Sequence, residues 1–121
     1  MPSDPHAARS ANRARGAWGE ELAARHYVRL GYDVVDRNWR CPLGELDLVV
    51  ARGDLTVIAE VKTRRTDAFG PPASAVTPAK QRRICLLGFE WMRTHDRHGP
   101  LRFDVVAITG TTLELIEGAF E

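Results

Sequence analysis

The chain has few cysteines, lacks a long apolar run and carries almost no net charge. Its two cysteines, Cys41 and Cys85, have neither CxxC spacing nor a companion histidine cluster, which argues against a zinc site or a disulfide framework and predicts two free thiols. No apolar stretch approaches the roughly 20 residues of a membrane span, and the N-terminus lacks the apolar run of a secretory signal. We therefore expect a cytoplasmic protein that does not bind a membrane.

The net charge of +1 argues against a nucleic-acid binder that relies on overall charge. The basic residues are nevertheless clustered. A solvated surface explains each cluster taken singly, but together the clusters can line one surface for an anionic ligand. The clusters are Arg9, Arg13 and Arg15; Arg37 and Arg40; Lys62, Arg64 and Arg65; and Lys80, Arg82 and Arg83.

Length and composition predict one globular domain. The 121 residues are 44% hydrophobic and 27% charged, which suffices for a proper core. Residues 1–15 contain little that can pack, so we expect a mobile basic tail followed by a single domain over 16–121. Hydrophobic periodicity predicts helices over 17–30 and 78–95, and strands over 32–38, 45–52, 55–63, 102–108 and 112–117.

The first predicted helix combines an apolar stripe with an acidic residue. Glu20 shares the stripe, whereas the neighbouring Glu21 lies with Arg25, so Glu20 is the more unusual of the two acids. The apolar positions at helical spacing are Trp18, Leu22, Ala23, Tyr27 and Leu30.

The second predicted helix is capped by Thr77 and begins with Pro78, a favourable first-turn residue. Gly88 lies on the core stripe and permits close approach to the sheet. The helix should form a parallel crossover between the strands on either side of it. Its core residues are Ile84, Leu87 and Trp91.

A hairpin turn at 53–54 brings two acidic residues together. The antiparallel register that pairs Arg52 with Leu55 also sets Asp47 opposite Glu60, with Cβ atoms about 4.5–5.5 Å apart. Opposed carboxylates repel each other unless a cation or a proton lies between them. Both a metal-binding pair and an ordinary solvated sheet face remain open at this point.

Strict alternation divides the hairpin into a polar face and an apolar face. The same register sets Glu45 opposite Lys62. The polar face contains Glu45, Asp47, Glu60 and Lys62, and the apolar face contains Leu46, Leu48, Val50, Leu55, Val57, Ala59 and Val61. The segment 64–76 that follows is long for a loop in a small domain, and we expect it to cover a ligand.

These motifs resemble the PD-(D/E)xK nuclease superfamily. More closely, the pattern of a helical Gly-Glu followed by RNWR, GELD, EVKTR, FG and TPAKQRR resembles the YraN-like family of endonuclease-like proteins, from about Gly16 to Asp104. The resemblance implies an α/β fold with a restriction-endonuclease-like αβββαβ core, in which helices flank a mixed central sheet.

The resemblance also implies a metal site. Asp47 and Glu60, together with the main-chain carbonyl of Val61, would hold Mg²⁺ or Mn²⁺, and Lys62 would orient or activate the attacking water. Glu45 is a candidate ligand for a second cation or a residue that tunes Lys62.

Two further helical residues are implied to belong to the site. Glu20 corresponds to the extra acid of junction-resolving relatives, and Gln81 to a position near the phosphate. Nucleic-acid contacts are expected from Arg64, Arg65, Lys80, Arg82 and Arg83.

The implied activity is that of a metal-dependent endonuclease that hydrolyses phosphodiester bonds in DNA. Branched or structured DNA is the expected substrate. A homodimer would be compatible with the cutting of two strands. The alternative is a noncatalytic nucleic-acid-binding module that retains the nuclease fold and assists DNA repair or recombination. Loss of cleavage in chelator and in Asp47→Ala would distinguish the enzyme from the module.

Overall fold

In the part of the chain that the structure describes, five strands form one mixed sheet with a helix on each face. The computed structural model describes the backbone of residues 5–65 and 76–120 and the side chains of residues 13–65 and 76–120. The elements in chain order are α1 (Pro5–Arg29), β1 (Asp33–Cys41), β2 (Gly44–Arg52), β3 (Leu55–Arg64), α2 (Pro78–Thr94), β4 (Leu101–Thr109) and β5 (Thr112–Phe120). The predicted αβββαβ order is confirmed, with β5 added after it.

Strand order in the sheet follows the chain, as β1-β2-β3-β4-β5. The pairs β1–β2, β2–β3 and β4–β5 are antiparallel, whereas β3 and β4 are parallel and are joined through α2. The predicted parallel crossover is therefore confirmed. The predicted hairpin turn is also confirmed, and Gly53 adopts the positive φ of 60° that this turn requires.

The start of α2 follows from its sequence. Thr77 is extended, with φ −67° and ψ 157°, and its hydroxyl accepts a hydrogen bond from the Lys80 amide at 3.2 Å. Pro78 occupies the first turn, where its missing N–H costs nothing. A Cβ added at Gly88 would lie 2.7 Å from a Phe103 ring atom, so the predicted close approach to the sheet is confirmed.

Helix α1 differs from its prediction. It begins at Pro5 rather than at Ala17, so it extends over much of the predicted tail. Trp18 and Leu30 are 44% and 42% exposed and do not join the core. The buried face instead consists of Gly19, Ala23, Ala24 and Tyr27. At Gly19 the helix lies very close to β3, where an added Cβ would meet the Thr63 side chain at 2.2 Å.

Two apolar clusters fill the space between the sheet and its helices. The α1-side cluster is built from Ala23, Ala24, Tyr27, Tyr32, Leu48, Val50, Val57, Ala59, Val106 and Ile108. The α2-side cluster is built from Leu46, Val49, Ile58, Val76, Ile84, Cys85, Leu87, Trp91, Phe103, Val105 and Phe120. Burial of these side chains supplies most of the stabilisation, at about 25 cal/mol per Å² of apolar surface.

Both outer strands of the sheet are irregular. In β1 the register shifts between Val34 and Asp36, and Asn38 adopts a left-handed φ of 50°. In β5 the register against β4 shifts between Phe103 and Val105, and Gly118 adopts a φ of 57°. Neither edge is therefore a uniform row of hydrogen-bonding groups.

Some predictions meet the limits of the described residues. Most of the expected ligand-covering loop, residues 66–75, and the side chain of Arg9 lie outside them. Cys41 and Cys85 are free thiols, as predicted. Across the described ranges 5–65 and 76–120, neither helix has the length and apolar character needed to span a membrane.

Candidate functional site

The candidate site lies where β2 and β3 stop pairing. The ladder runs from Arg52 opposite Leu55 to Leu48 opposite Ala59, which confirms the predicted register. The predicted continuation of this pairing to Asp47–Glu60 and Glu45–Lys62 is wrong, because the paired residues of these two described strands end at Leu48 and Ala59.

The Asp47 side chain takes over where the ladder ends. Its Oδ2 accepts a hydrogen bond from the Val61 backbone amide at 2.9 Å. A carboxylate thus occupies a position that a backbone carbonyl would fill in a continuous sheet. This contact holds the Asp47 carboxylate against the Glu60–Val61 segment of β3.

Strict alternation along β2 fails at the same point. Leu48 belongs to the α1-side cluster as expected, but Leu46 belongs to the α2-side cluster. The prediction that Leu46 and Leu48 share a face is therefore wrong. The neighbouring strand is irregular here as well, since Asn38, with its φ of 50°, lies between the residues that pair with Leu46 and Leu48.

The two opposed acids are held in a poorly solvated position. Glu60 is buried, with 5% of its surface exposed, and Asp47 is half-buried. Burial raises the pKa of Asp47 to about 7, and the negative charge of Glu60 contributes to this rise. The Val61 amide opposes the rise but does not cancel it. The charged form of Asp47 is therefore disfavoured, and a proton or a cation close to Asp47 would relieve its repulsion from Glu60.

Two lysines meet these acids. Lys80, from the first turn of α2, places its Nζ 2.8 Å from Glu60 Oε1. The hydrogen bond and the positive charge of Lys80 lower the pKa of Lys62, together with partial burial. Burial acts to lower the pKa of Lys80 also, but its hydrogen bonds to Glu60 and Lys62 outweigh this effect and raise it. The result is one lysine that keeps its proton and one that releases it more readily.

Lys80 was expected only as a nucleic-acid contact, and the structure places it inside the site. The sequence does place Lys80 in the first turn of α2, because the predicted start of this helix is confirmed. The direction in which that helix approaches Glu60 depends on the packing of α2 on the sheet, which periodicity does not give.

Glu20 reaches the site from the other face of the sheet. The close approach at Gly19 brings the helix onto β3, and Glu20 lies near enough for its charge to raise the pKa of Asp47. The Asn38 side chain donates a hydrogen bond from Nδ2 to Glu20 Oε2 at 3.0 Å.

The sequence reasoning missed Asn38 as a residue of the site. Its signal is an asparagine inside a predicted strand, since Asn tolerates the left-handed conformation better than most residues. As the sequence indicated, Glu21 lies apart from Glu20 and binds Arg25, with 3.0 Å between Oε1 and Nε.

Two predicted site residues have other partners. Glu45 is exposed and its Oε2 lies 3.4 Å from Arg40 Nε. Gln81 donates a hydrogen bond from Nε2 to the Val76 carbonyl at 3.0 Å, which ties the start of α2 to the preceding residues. The structure therefore does not bring these two side chains to the opposed acids.

The predicted phosphate contacts differ in their exposure. Arg65, Arg82 and Arg83 are exposed, as a phosphate contact requires. Arg64 is half-buried and its Nε lies 3.5 Å from Thr109 Oγ1.

The oxygen donors of the site can hold a hard divalent cation only if water or a ligand fills its remaining coordination positions. Within the described residues, no group of three or more His, Cys, Asp and Glu side chains is arranged to hold a metal ion. Asp47 and Glu60 are two carboxylates beside the Val61 main chain. Mg²⁺ commonly binds through one or two carboxylates and fills its other positions with water and phosphate oxygens. The residues present fit that mode of binding.

Comparison with known proteins places these features in a family. The family profile described as "Uncharacterised protein family UPF0102" matches residues 19–108. A UPF0102 protein of Rhodococcus opacus (strain B4) is 56% identical over 98 residues, which cover 80% of this chain and 83% of that protein.

More distant relatives cover more of the chain. A UPF0102 protein of Acidothermus cellulolyticus is 45% identical over 127 residues, covering 92% of this chain and 96% of the relative. A UPF0102 protein of Geobacter sulfurreducens is 45% identical over 119 residues, covering 91% of each chain. The matched span includes Glu20, Asp47, Glu60, Lys62 and Lys80.

Proposed function

The chain belongs to the UPF0102 family, and from this premise we propose that it is a metal-dependent nuclease that hydrolyses phosphodiester bonds in DNA. The resemblance to the YraN-like family is confirmed at the level of UPF0102. Membership of the PD-(D/E)xK superfamily, the metal and the DNA substrate are parts of the proposal.

The observation that carries the proposal is the pair of opposed acids at the end of the β2–β3 ladder. A solvated polar face would leave Asp47 in contact with water and its pKa near the usual value. Instead burial and the neighbouring Glu60 raise the pKa of Asp47 to about 7. This arrangement lowers the stability of the folded protein. Carboxylates with such perturbed pKa values are typical of catalytic sites.

Asp47, Glu60 and the Val61 carbonyl would hold Mg²⁺ or Mn²⁺. When bound, such an ion supplies positive charge next to the phosphate and makes a coordinated water more acidic. The fit rests on the two carboxylates and on the Val61 main chain beside them.

The lysines divide the proton chemistry between them. Lys62, whose pKa is lowered, takes a proton from the attacking water at its Nζ or orients that water. Lys80 keeps its proton and neutralises Glu60 at 2.8 Å. Its hydrogen bond and positive charge also lower the pKa of Lys62. Glu20, fixed by Asn38, adds a third acid at the edge of the site.

Backbone charge and shape, rather than base sequence, should govern the choice of DNA. The exposed Arg65, Arg82 and Arg83 flank the site and can contact phosphates. Within the described residues 5–65 and 76–120, neither helix is a separate element that could enter a groove and read base edges, which favours branched or structured DNA. Two copies of the site, as in a homodimer, would be needed to cut both strands at once.

One cleavage panel tests the proposal. Single-stranded, duplex, flap and four-way-junction DNA are incubated with Mn²⁺ at a stated salt concentration, with and without chelator. We expect cleavage of the branched substrates, and a loss of at least about 10³-fold in Asp47→Ala and in Lys62→Ala. Glu21→Gln is the matched control for Glu20→Gln, because only Glu20 lies beside Asp47.

A second function is favoured by one contact. Lys80 already neutralises Glu60 at 2.8 Å, which is how a noncatalytic nucleic-acid-binding module would stabilise an unused acid. Under this alternative, wild-type protein binds the DNA panel without cutting any substrate, and binding survives chelator and Asp47→Ala. That result would replace the nuclease by a binding module.

A further inference from the structure

A cavity of about 420 Å³ lies between α1 and the ends of β3 and β4. Trp18 and Arg15 of α1 and Thr63, Arg64 and Arg65 of the β3 end line it. Its size is within the range of sites that hold small ligands. Thr63 and Arg64 directly follow Lys62 in β3, so the cavity adjoins the proposed catalytic lysine along the chain.

The cavity contains a cationic group that needs a partner. Arg64 Nη2 is buried and, within the described residues, has no hydrogen-bond partner. A buried guanidinium nitrogen without an acceptor destabilises the folded protein. Other atoms of Arg64 line the cavity, so a turn of the guanidinium toward it would give Nη2 an anionic oxygen as a partner. Arg15 and Arg65 add positive charge around the same space.

The cavity also contains an aromatic surface that the core does not use. Trp18 is 44% exposed, although it lies one residue before the tight contact at Gly19. An exposed tryptophan among arginines is the combination that single-stranded nucleic acid uses, with a base stacked on the ring and the phosphate on the guanidinium. An inorganic anion alone would leave the indole without a role.

We propose that this cavity binds one unpaired nucleotide of the substrate, with its base stacked on Trp18 and its phosphate held by Arg64. The inference rests on the proposed function and narrows its substrate class to DNA that has an unpaired nucleotide next to the cut, such as an overhang or a flap. A fully paired duplex keeps its bases stacked and leaves the cavity without its ligand.

Binding in chelator tests this inference without cleavage. The affinity of the full chain is measured by fluorescence anisotropy for a duplex with a single-stranded oligothymidylate overhang, and for a blunt duplex with the same number of phosphates. Trp18→Ala should weaken binding of the overhang substrate about tenfold, as expected for the loss of one base stack, and leave the blunt duplex unchanged. Trp18→Phe should restore most of the affinity.

Matched controls separate stacking and charge from general effects. Phe89→Ala removes an aromatic ring that is 59% exposed on α2 and should leave both affinities unchanged. Arg64→Gln should weaken binding of the overhang substrate more than Arg29→Gln does, although each substitution removes one positive charge. Circular dichroism confirms that the variants fold.

The outcomes for the cavity and for the nuclease are read separately. The cavity assignment is overturned if wild type and Trp18→Ala bind the overhang substrate equally well. It is also overturned if Trp18→Ala loses the same affinity for both substrates, or if the wild type binds neither DNA. The nuclease proposal is judged in a parallel Mn²⁺ reaction, where cleavage that disappears in Asp47→Ala would uphold it even if the cavity assignment fails.

Discussion

Two carboxylate centres in this small domain are both removed from water, yet they are treated in opposite ways. Asp104 in β4 is fully buried and is surrounded by donors: Tyr27 Oη at 2.8 Å, Arg102 Nε at 2.8 Å and Nη2 at 2.9 Å, and the Gly118 amide at 3.0 Å. Every lone pair of that carboxylate has a partner, and its charge is balanced by a guanidinium.

The Asp47–Glu60 centre lacks this balance. Asp47 has one backbone donor, the Val61 amide, and faces a second acid, so its pKa rises to about 7. The comparison shows that burial alone does not mark a functional carboxylate. Asp47 differs from Asp104 in having a second acid, Glu60, beside it, and under the proposed function this perturbed carboxylate belongs to the active site.

The largest expected difference between the centres is in stability. Asp104→Asn should lower the free energy of unfolding by about 3 kcal/mol, because the fully buried position loses its ion pair with Arg102 and the new amide NH₂ would face donors that now bind the carboxylate. Asp47→Asn should leave stability unchanged or raise it, because the amide oxygen can still accept from Val61 while the repulsion from Glu60 disappears. Urea unfolding of both variants in chelator measures this, and equal losses would remove the distinction between the two centres.

A smaller effect is the pH dependence of that gain. The pKa of Asp47 is about 7 in the folded protein against an ordinary value of 3.8, so the folded state binds the proton more tightly than the unfolded chain does. Between about pH 4 and pH 7 the unfolded state ionises first, and the wild type loses stability as the pH rises.

The advantage of Asp47→Asn should therefore be near zero at pH 4, grow through this window and level off above pH 7 at about 2 kcal/mol. This is less than the full linkage value because the side chain keeps some contact with water. Unfolding curves in chelator across the window provide the measurement. An advantage that is constant with pH would show that the repulsion is absent.

A bound cation should stabilise the Asp47–Glu60 centre and so make it less different from the Asp104 centre. Mn²⁺ at about ten times its dissociation constant should stabilise the wild type by about 1.4 kcal/mol, since it binds only the folded site. Its affinity should fall below pH 7, where Asp47 holds a proton that the metal must displace. The double variant Asp47→Asn/Glu60→Gln is the control for thermal shift, and equal shifts in both proteins would reject the metal assignment.

The smallest effect concerns the surface around the site. Arg82→Gln/Arg83→Gln should reduce the slope of log affinity for DNA against log salt by about 2, if each arginine neutralises one phosphate. Arg25→Gln/Arg29→Gln removes the same charge from α1, where both residues line a separate cavity, and should change the slope less. Equal slopes for the two double variants would show that Arg82 and Arg83 belong to an ordinary solvated surface.

Sequence reasoning succeeds where local chemistry decides the structure. The start of α2 follows from Thr77 and Pro78, and the hairpin follows from Gly53 between two apolar runs. The proximity of Asp47 and Glu60 follows from the hairpin register, although the ladder itself ends one residue earlier on each strand.

It fails where packing between elements decides. Leu46 changes sides because β2 leaves regular alternation beside the irregular β1, and no period-two pattern contains that information. Trp18 lies outside the core because the face of α1 that meets the sheet runs through Gly19, Ala23 and Tyr27 instead. Lys80 and Asn38 become site residues only after both helices have been placed on the sheet.

The irregular outer strands have a consequence for how this protein behaves at high concentration. An incoming strand needs a straight row of amides and carbonyls, and such rows are the templates for amyloid-like growth. The left-handed Asn38 interrupts β1, and the shifted register at Gly118 interrupts β5, so both margins of the sheet resist strand addition. Two copies that associate would therefore meet through a helix-covered face, and their sheets would not merge into a continuous ribbon.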